Sequence, residues 1–174
     1  MATRIISVIG RKNAGKTTLL VALAAEYVRK GRRVMTIKQA AESPELDLPG
    51  SDRFRHFHEG KAERSLLVTP DRRHLVERAQ DPGDPVALAR HYLDGADIVL
   101  VEGFQAASLP KIEVFRKEVG PKPLYVAGAP NAGEWVALVT DDEKLDAACP
   151  VLRFRDTMWL QLLANLAWEK AQVL

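Results

Sequence analysis

Short apolar runs alternate with stretches of helical period along this chain. Ile5 to Ile9 is β-branched and closes on Gly10, which predicts a short buried strand. The period then changes. Leu20, Leu23, Ala24 and Tyr27 recur at i, i+3, i+4 and i+7, one apolar helix face, and Arg29-Lys30 before Gly31 supplies a cationic last turn and a C′ glycine. Arg33 to Ile37 reads as a second strand. Gln39 to Asp52 has neither period and is rich in Pro, Gly, Ser and acids, so it is expected to be a long functional loop. Further strands are predicted at Ser65–Thr69, Asp97–Val101, Ile112–Phe115, Leu124–Ala127, Trp135–Val139 and Val151–Phe154. Helices are predicted at Pro85–Leu93 and, behind an Asp156 N-cap, at Thr157–Ala171.

Strands interleaved with helices imply an α/β three-layer sandwich around a mostly parallel sheet. The close spacing of strands between 112 and 139 suggests some antiparallel pairing. The length of 174 residues and a hydrophobic content of 47% suit one domain, 1–174, with one core. The N-terminal apolar run is too short for a signal peptide and no stretch approaches a membrane span, so a cytoplasmic protein is expected. Cys149 is the sole cysteine, which excludes an internal disulfide and fits a reducing compartment.

Charge adds one feature. A formal net charge of +2 does not call for a nucleic-acid partner, but residues 1–64 carry 13 Lys and Arg against 7 Asp and Glu, leaving the remainder net negative. A basic first third fits a polyphosphate ligand, and equally a solvated surface.

The motif between the first strand and helix decides between these. Gly10-Arg11-Lys12-Asn13-Ala14-Gly15-Lys16-Thr17, followed by Thr18, matches G-x-x-x-x-G-K-[ST], the P-loop of NTPases. Loop N–H groups and the positive end of the next helix surround phosphate oxygens. Lysine adds a point charge and the threonine hydroxyl coordinates Mg²⁺. An apolar strand before it and an amphipathic helix after it are the context the motif requires.

Such sites lie at the carboxyl ends of parallel strands. Asp97-Ile98-Val99-Leu100-Val101-Glu102 offers an acid at each end of one strand. At about 3.3 Å per residue the two are roughly 16 Å apart, too far to serve one ion. Glu102 is therefore the candidate Mg²⁺-associated acid and Asp97 a turn or capping residue. Asp47 is a second metal candidate, because its loop leaves the same sheet edge. Thr140-Asp141-Asp142 offers acids to guanine N1 and N2, although the chain has no Asn-Lys-x-Asp run.

Several segments together resemble the molybdopterin-guanine dinucleotide biosynthesis protein B family. They are the P-loop continuing as Thr17-Thr18-Leu19-Leu20, Ile37-Lys38, Asp47-Leu48-Pro49-Gly50 with Asp52, Arg55-His56 with Gly60 and Ala62, Val101-Glu102-Gly103-Phe104, and Pro110-Lys111-Ile112-Glu113-Val114 with Arg116. The resemblance implies a usually dimeric GTP-binding protein of weak GTPase activity, assisting the guanylyltransferase that joins GMP to molybdopterin. It implies phosphate and Mg²⁺ contacts at Lys16 and Thr17, a strand-end acid at Glu102, and Asp47, Asp52, Arg55 and His56 near nucleotide or molybdopterin. Lys111 and Arg116 are candidate contacts for an anionic ligand or the partner enzyme. The chain departs from the family at Gln39-Ala40-Ala41, where histidines are common, and at Gly50-Ser51-Asp52-Arg53, where Gly-Lys-Asp-Ser is common.

A rival of another class is a P-loop small-molecule kinase whose Arg53, Arg55, Arg64, Arg72 and Arg73 clamp an acceptor. It gives no role to Pro110–Arg116. The chain shows no obvious arginine finger or water-orienting glutamine, so slow hydrolysis is expected. His56 and His58 lack further ligands at metal spacing.

Overall fold

The computed structural model describes residues 2–42 and 47–174. They divide into two compact units, one formed by residues up to Gln39 together with Gly83–Leu174, the other by Ala40–Pro82. In chain order the first part of the larger unit contains β1 (Arg4–Gly10), α1 (Lys16–Arg29) and β2 (Val34–Lys38). The smaller unit contains α2 (Asp52–Phe54), running into a π-helical turn at Arg55–Glu59, then β3 (Arg64–Val68) and β4 (Arg73–Glu77). The larger unit resumes with α3 (Pro85–Tyr92), β5 (Ile98–Glu102), β6 (Lys111–Phe115), β7 (Trp135–Thr140), β8 (Val151–Arg153), α4 (Trp159–Lys170) and β9 (Gln172–Val173).

The main sheet runs β2-β5-β1-β6-β7-β8, every neighbouring pair parallel, with β9 antiparallel to the start of β1. Both faces of its central strands are covered, which is why β1 and β5 read as continuous apolar runs instead of alternating ones. Ile6 and Val8 of β1 with Ile98 and Leu100 of β5 join the core beneath α1 and α4, where Leu23, Leu163, Ala164 and Ala167 have no exposed surface. Ile5, Val99 and Val101 face the other way and pack with Ala89 of α3. Helix, sheet and helix thus form the three layers expected. Each buried leucine or isoleucine contributes about 1.5–3 kcal/mol on removal from water.

The two faces of α1 follow its sequence. Leu19, Leu20, Leu23 and Tyr27 are buried, and the Tyr27 hydroxyl donates to the Ala164 carbonyl of α4 at 2.7 Å. Burial holds the Tyr27 hydroxyl protonated well above the usual phenol range. Beyond the helix Gly31 takes φ +74 and the Arg32 N–H returns to the Tyr27 carbonyl at 3.0 Å, the αL exit anticipated there.

Several features differ from expectation. Leu124–Ala127 is not a strand, because its amides serve a buried acid. Glu113, 1% exposed in β6, accepts from the Leu124 and Tyr125 N–H groups at 2.6 and 3.0 Å and from Trp135 Nε1 at 2.8 Å. That loop lets β6 and β7 run parallel, so antiparallel pairing occurs instead at β9 and in the β3–β4 hairpin. β4, Arg-His-Leu-Val-Glu, carries too few apolar residues to announce itself, and pairs because Thr69 and Arg72 close a tight turn. Asp156 does not cap α4. It accepts from the Arg153 N–H at 3.0 Å one turn earlier, and Met158 at φ +59 opens the helix.

Candidate functional site

At the carboxyl edge of the sheet the chain leaves β1 through Gly10 and enters α1 at Lys16. Gly10 has φ +142 and is paired with Val114 of β6 so closely that a Cβ there would be 2.4 Å from the Val114 carbonyl oxygen. Asn13 (φ +65) and Gly15 (φ +97) add two residues of left-handed backbone, which curl the loop back on itself, with the Ala14 N–H donating to the Arg11 carbonyl at 3.2 Å. Gly15 caps α1 without a side-chain acceptor, and the first turn holds no acid. The positive helix end is therefore left to an anion.

Arg11, Lys12 and Asn13 form the exposed rim, with Thr17 and Thr18 exposed at the helix start, whereas Ala14 is fully buried. Lys16 Nζ lies over the loop, donating to the Arg11 carbonyl at 2.8 Å. Arg116, just past β6, buttresses the loop from behind. Its Nε donates to the Ala14 carbonyl at 3.1 Å, its guanidinium lies 4.3 Å from the centre of the Phe154 ring, and Asp141 is 3.7 Å away. The neighbouring Asp142 pairs with Lys117 at 2.8 Å, which holds its carboxyl below the usual range.

Glu102 ends β5 in register with Val8 of β1 and Lys38 of β2. It is only 7% exposed. The Thr17 hydroxyl lies 2.9 and 2.8 Å from its two oxygens, and Lys38 Nζ lies 3.2 Å from Oε1. Parallel pairing with β1 therefore delivers the strand-end acid to the P-loop. Asp97, at the other end, accepts from the Arg33 N–H at 2.8 Å and its carbonyl accepts from the Arg4 N–H at 3.0 Å. A hydroxyl beside a carboxylate, both hard oxygen donors, fits Mg²⁺, which takes one or two protein oxygens and completes its shell with phosphate and water. Among the described residues no cluster of three or more His, Cys, Asp and Glu is placed to hold a metal by itself.

Gly103 and Phe104 continue the turn after Glu102. The Ser7 hydroxyl donates to the Gly103 carbonyl at 2.7 Å and the Phe104 N–H to Gln39 Oε1 at 2.8 Å. Ser7, Lys38 and Gln39 thus hold the acid and the turn after it, roles that neither the P-loop pattern nor the family resemblance assigns to them. The signal was strand order, since Lys38 and Gln39 leave β2 beside Glu102.

Lys111 corrects an expectation. It starts β6, at the opposite edge, and is 1% exposed, with its ammonium donating to the Ala107 carbonyl at 2.7 Å and ion-paired with Glu134. The pairing lowers the Glu134 carboxyl below its ordinary value. Buried and internally partnered, Lys111 presents no face to a ligand or partner, in contrast to Arg116.

In the smaller unit Asp47 accepts from Arg53 Nε at 2.6 Å. Asp52, Arg55 and His56 come together with Glu59 and Gly60 around a cavity of about 300 Å³. Arg55 Nε is 3.1 Å from Glu59.

Residues 5–141 match the family model of molybdopterin guanine dinucleotide synthesis protein B. The chain belongs to that family. The match spans Gly10–Thr17, Glu102 and Arg116 together. A molybdopterin-guanine dinucleotide biosynthesis adapter protein of Haemophilus influenzae is 30% identical over 143 residues, 82% of this chain and 76% of that protein. Its Escherichia coli namesake is 30% identical over 112 residues, 63% of each chain. The crystal structure of Bacillus subtilis MobB superposes with a TM-score of 0.70 over 94% of this chain and 97% of that one, at 20% identity, which shows a shared fold. No helix among the described residues is long and apolar enough to cross a membrane.

Proposed function

We propose that the chain binds Mg–GTP at the Gly10–Thr17 loop and acts as an adapter in molybdopterin guanine dinucleotide synthesis, presenting the nucleotide-bound state to the guanylyltransferase in the cytoplasm. The observation that carries the nucleotide half is the meeting of Thr17 and Glu102 beneath the loop. Loop amides and Lys16 would hold the β- and γ-phosphates, with Thr17 and Glu102 on the metal side, directly or through water. Mg²⁺ supplies charge neutralisation of the polyphosphate when bound. Asp141 and Asp142, past the end of β7, offer acceptors to guanine N1 and N2 hydrogens that adenine lacks. Hydrolysis is weak on this reading, because Arg116 is committed to the Ala14 carbonyl and the Phe154 ring.

Two finer assignments belong to the same proposal. Arg55 and His56 offer donors to an anionic group such as the phosphate of molybdopterin, in the cavity they share with Asp52. A homodimer is supported by the β3–β4 hairpin, where Leu66 and Val68 share a face with Leu75 opposite Leu66, at 57, 57 and 47% exposure. Two strands with an apolar face are marginal until covered. The kinase reading loses most of its clamp, since Arg53, Arg64 and Arg72 pair with Asp47, Glu77 and Asp71, and Arg73 donates to the Thr69 and Arg72 carbonyls.

The deciding experiment is capture of the purified guanylyltransferase by this chain with and without Mg–GTP. GTP-dependent retention is expected; acceptor-dependent phosphorylation across a metabolite panel, without retention, would replace the adapter by a kinase. For the metal side, Glu102→Gln is expected to lower Mg²⁺-dependent turnover about 10- to 100-fold, the range typical of groups that orient metal ligands. Asp97→Asn, at the far edge, should stay within about twofold once its folded fraction is matched. Equal losses measured by phosphate release would contradict the assignment to one sheet edge.

A further inference from the structure

Lys38 is the last residue of β2 and the register partner of Glu102. Its ammonium is 3.2 Å from Glu102 Oε1 and 3.4 Å from Thr17 Oγ1, so one cation touches both oxygens that the metal side of the site would use. The root of this side chain is fixed. The Gln39 N–H donates to the Glu102 carbonyl at 2.9 Å, and the Gln39 side chain accepts from the Phe104 N–H at 2.8 Å, which ties the ends of β2 and β5 together on either side of the carboxylate. The side chain beyond that root is 59% exposed on a flexible four-carbon stem, whereas the Glu102 side chain is 9% exposed. A carboxylate that far from solvent requires a counter-charge, and Lys38 supplies one without closing the site.

We propose that Lys38 is an exchangeable counter-ion: its ammonium neutralises Glu102 until a divalent cation arrives with nucleotide, and then moves off the carboxylate towards the polyphosphate. The inference rests on the nucleotide and metal reading of this site. A divalent ion and an ammonium cannot share the Thr17 and Glu102 oxygens without strong repulsion, so binding of one requires departure of the other. Lysine suits the task better than arginine, because a compact point charge on a rotatable stem leaves a carboxylate more readily than a bidentate fork does. The consequence is selectivity of order. Divalent ion alone binds poorly because it must displace a tethered cation, whereas ion and triphosphate together bind well because the displaced ammonium gains phosphate oxygens.

The test uses the full chain with Mn²⁺ as probe, followed by the paramagnetic signal of the free ion, and GTP followed by calorimetry in chelator. Lys38→Met is expected to bind Mn²⁺ without nucleotide about fivefold more tightly than wild type, and GTP without divalent ion about fivefold more weakly. Lys38→Gln, which retains a donor but no charge, should behave like Lys38→Met. Lys38→Arg should show no gain in Mn²⁺ affinity. Unchanged Mn²⁺ affinity in both neutral variants, folded by circular dichroism, overturns the counter-ion role. Wild-type protein that takes up Mn²⁺ with GTP in that case keeps the site and loses only the Lys38 function; failure to take up Mn²⁺ even with GTP overturns both.

Discussion

Lys16→Ala is expected to weaken Mg–GTP binding by about 100-fold or more while leaving the fold in place. The side chain stands over the loop from the first turn of α1 and makes a single hydrogen bond to a loop carbonyl, Arg11, at 2.8 Å. Its removal costs the protein one neutral-acceptor bond at a solvent-facing position, about 1 kcal/mol or less. Its removal costs the complex a point charge against a tetra-anionic polyphosphate held among fixed amide dipoles. Losses of about 2–5 kcal/mol are usual when a partnered charge is truncated, and each 1.4 kcal/mol is tenfold in affinity. The two halves are separable: calorimetric titration with Mg–GTP reports the first, and the thermal midpoint by circular dichroism the second. Undiminished affinity in a folded variant would remove the P-loop assignment. Joint loss of affinity and of the folded baseline would instead show that the loop is held together by this lysine.

That separation reflects how the site was legible in the chain. Gly10, Gly15, Lys16 and Thr17 are spaced by a backbone requirement, so the motif carries its local geometry with it, and the structure adds φ values that only explain why two of the positions are glycine. Glu102 was reachable through one further step, strand polarity, because an acid at the end of an apolar run has a defined edge once the sheet is parallel. Lys38 and Gln39 were not reachable in the same way. Nothing local marks a lysine at the end of a strand, and its role arises only because β5 lies between β1 and β2, an order that the chain does not spell out. Lys111 failed for the complementary reason. Alternation around Ile112-Glu113-Val114 cannot show that Ala107, Leu109 and Glu134 converge on its ammonium, since these are contributed by turns before β6 and β7. Leu124–Ala127 had the composition of a strand and lost to a tertiary demand, the buried carboxylate of Glu113. Where amides are recruited as ligands for a buried acid, propensity gives way.

Gly10→Ala is expected to be the most damaging single methyl in the larger unit, and the reason lies in the sheet and not in the nucleotide. The position has φ +142, where an L side chain is strained whatever the space, and the added Cβ would sit 2.4 Å from the Val114 carbonyl oxygen. That oxygen belongs to the backbone of β6, itself paired to β1 on one side and β7 on the other, so it cannot swing aside as a side chain would. Relief requires β1 and β6 to part at the point where the loop leaves the sheet. A cost of about 3 kcal/mol or more is expected, a large share of the roughly 5–15 kcal/mol that holds a typical domain. Gly31→Ala gives the matched control. Gly31 has φ +74 just beyond α1, and its added Cβ would meet nothing within 4 Å, so only the left-handed backbone penalty of about 1–2 kcal/mol applies. Urea unfolding of the two variants beside wild type measures the difference directly. Midpoints that fall together would mean that the contact with Val114 is relieved at little cost, and that the loop tolerates a looser junction between β1 and α1 than its geometry implies. A much lower midpoint for Gly10→Ala alone would mean that glycine at the head of this motif is required first by the packing of two strands, with phosphate binding built on a junction that the fold already imposes.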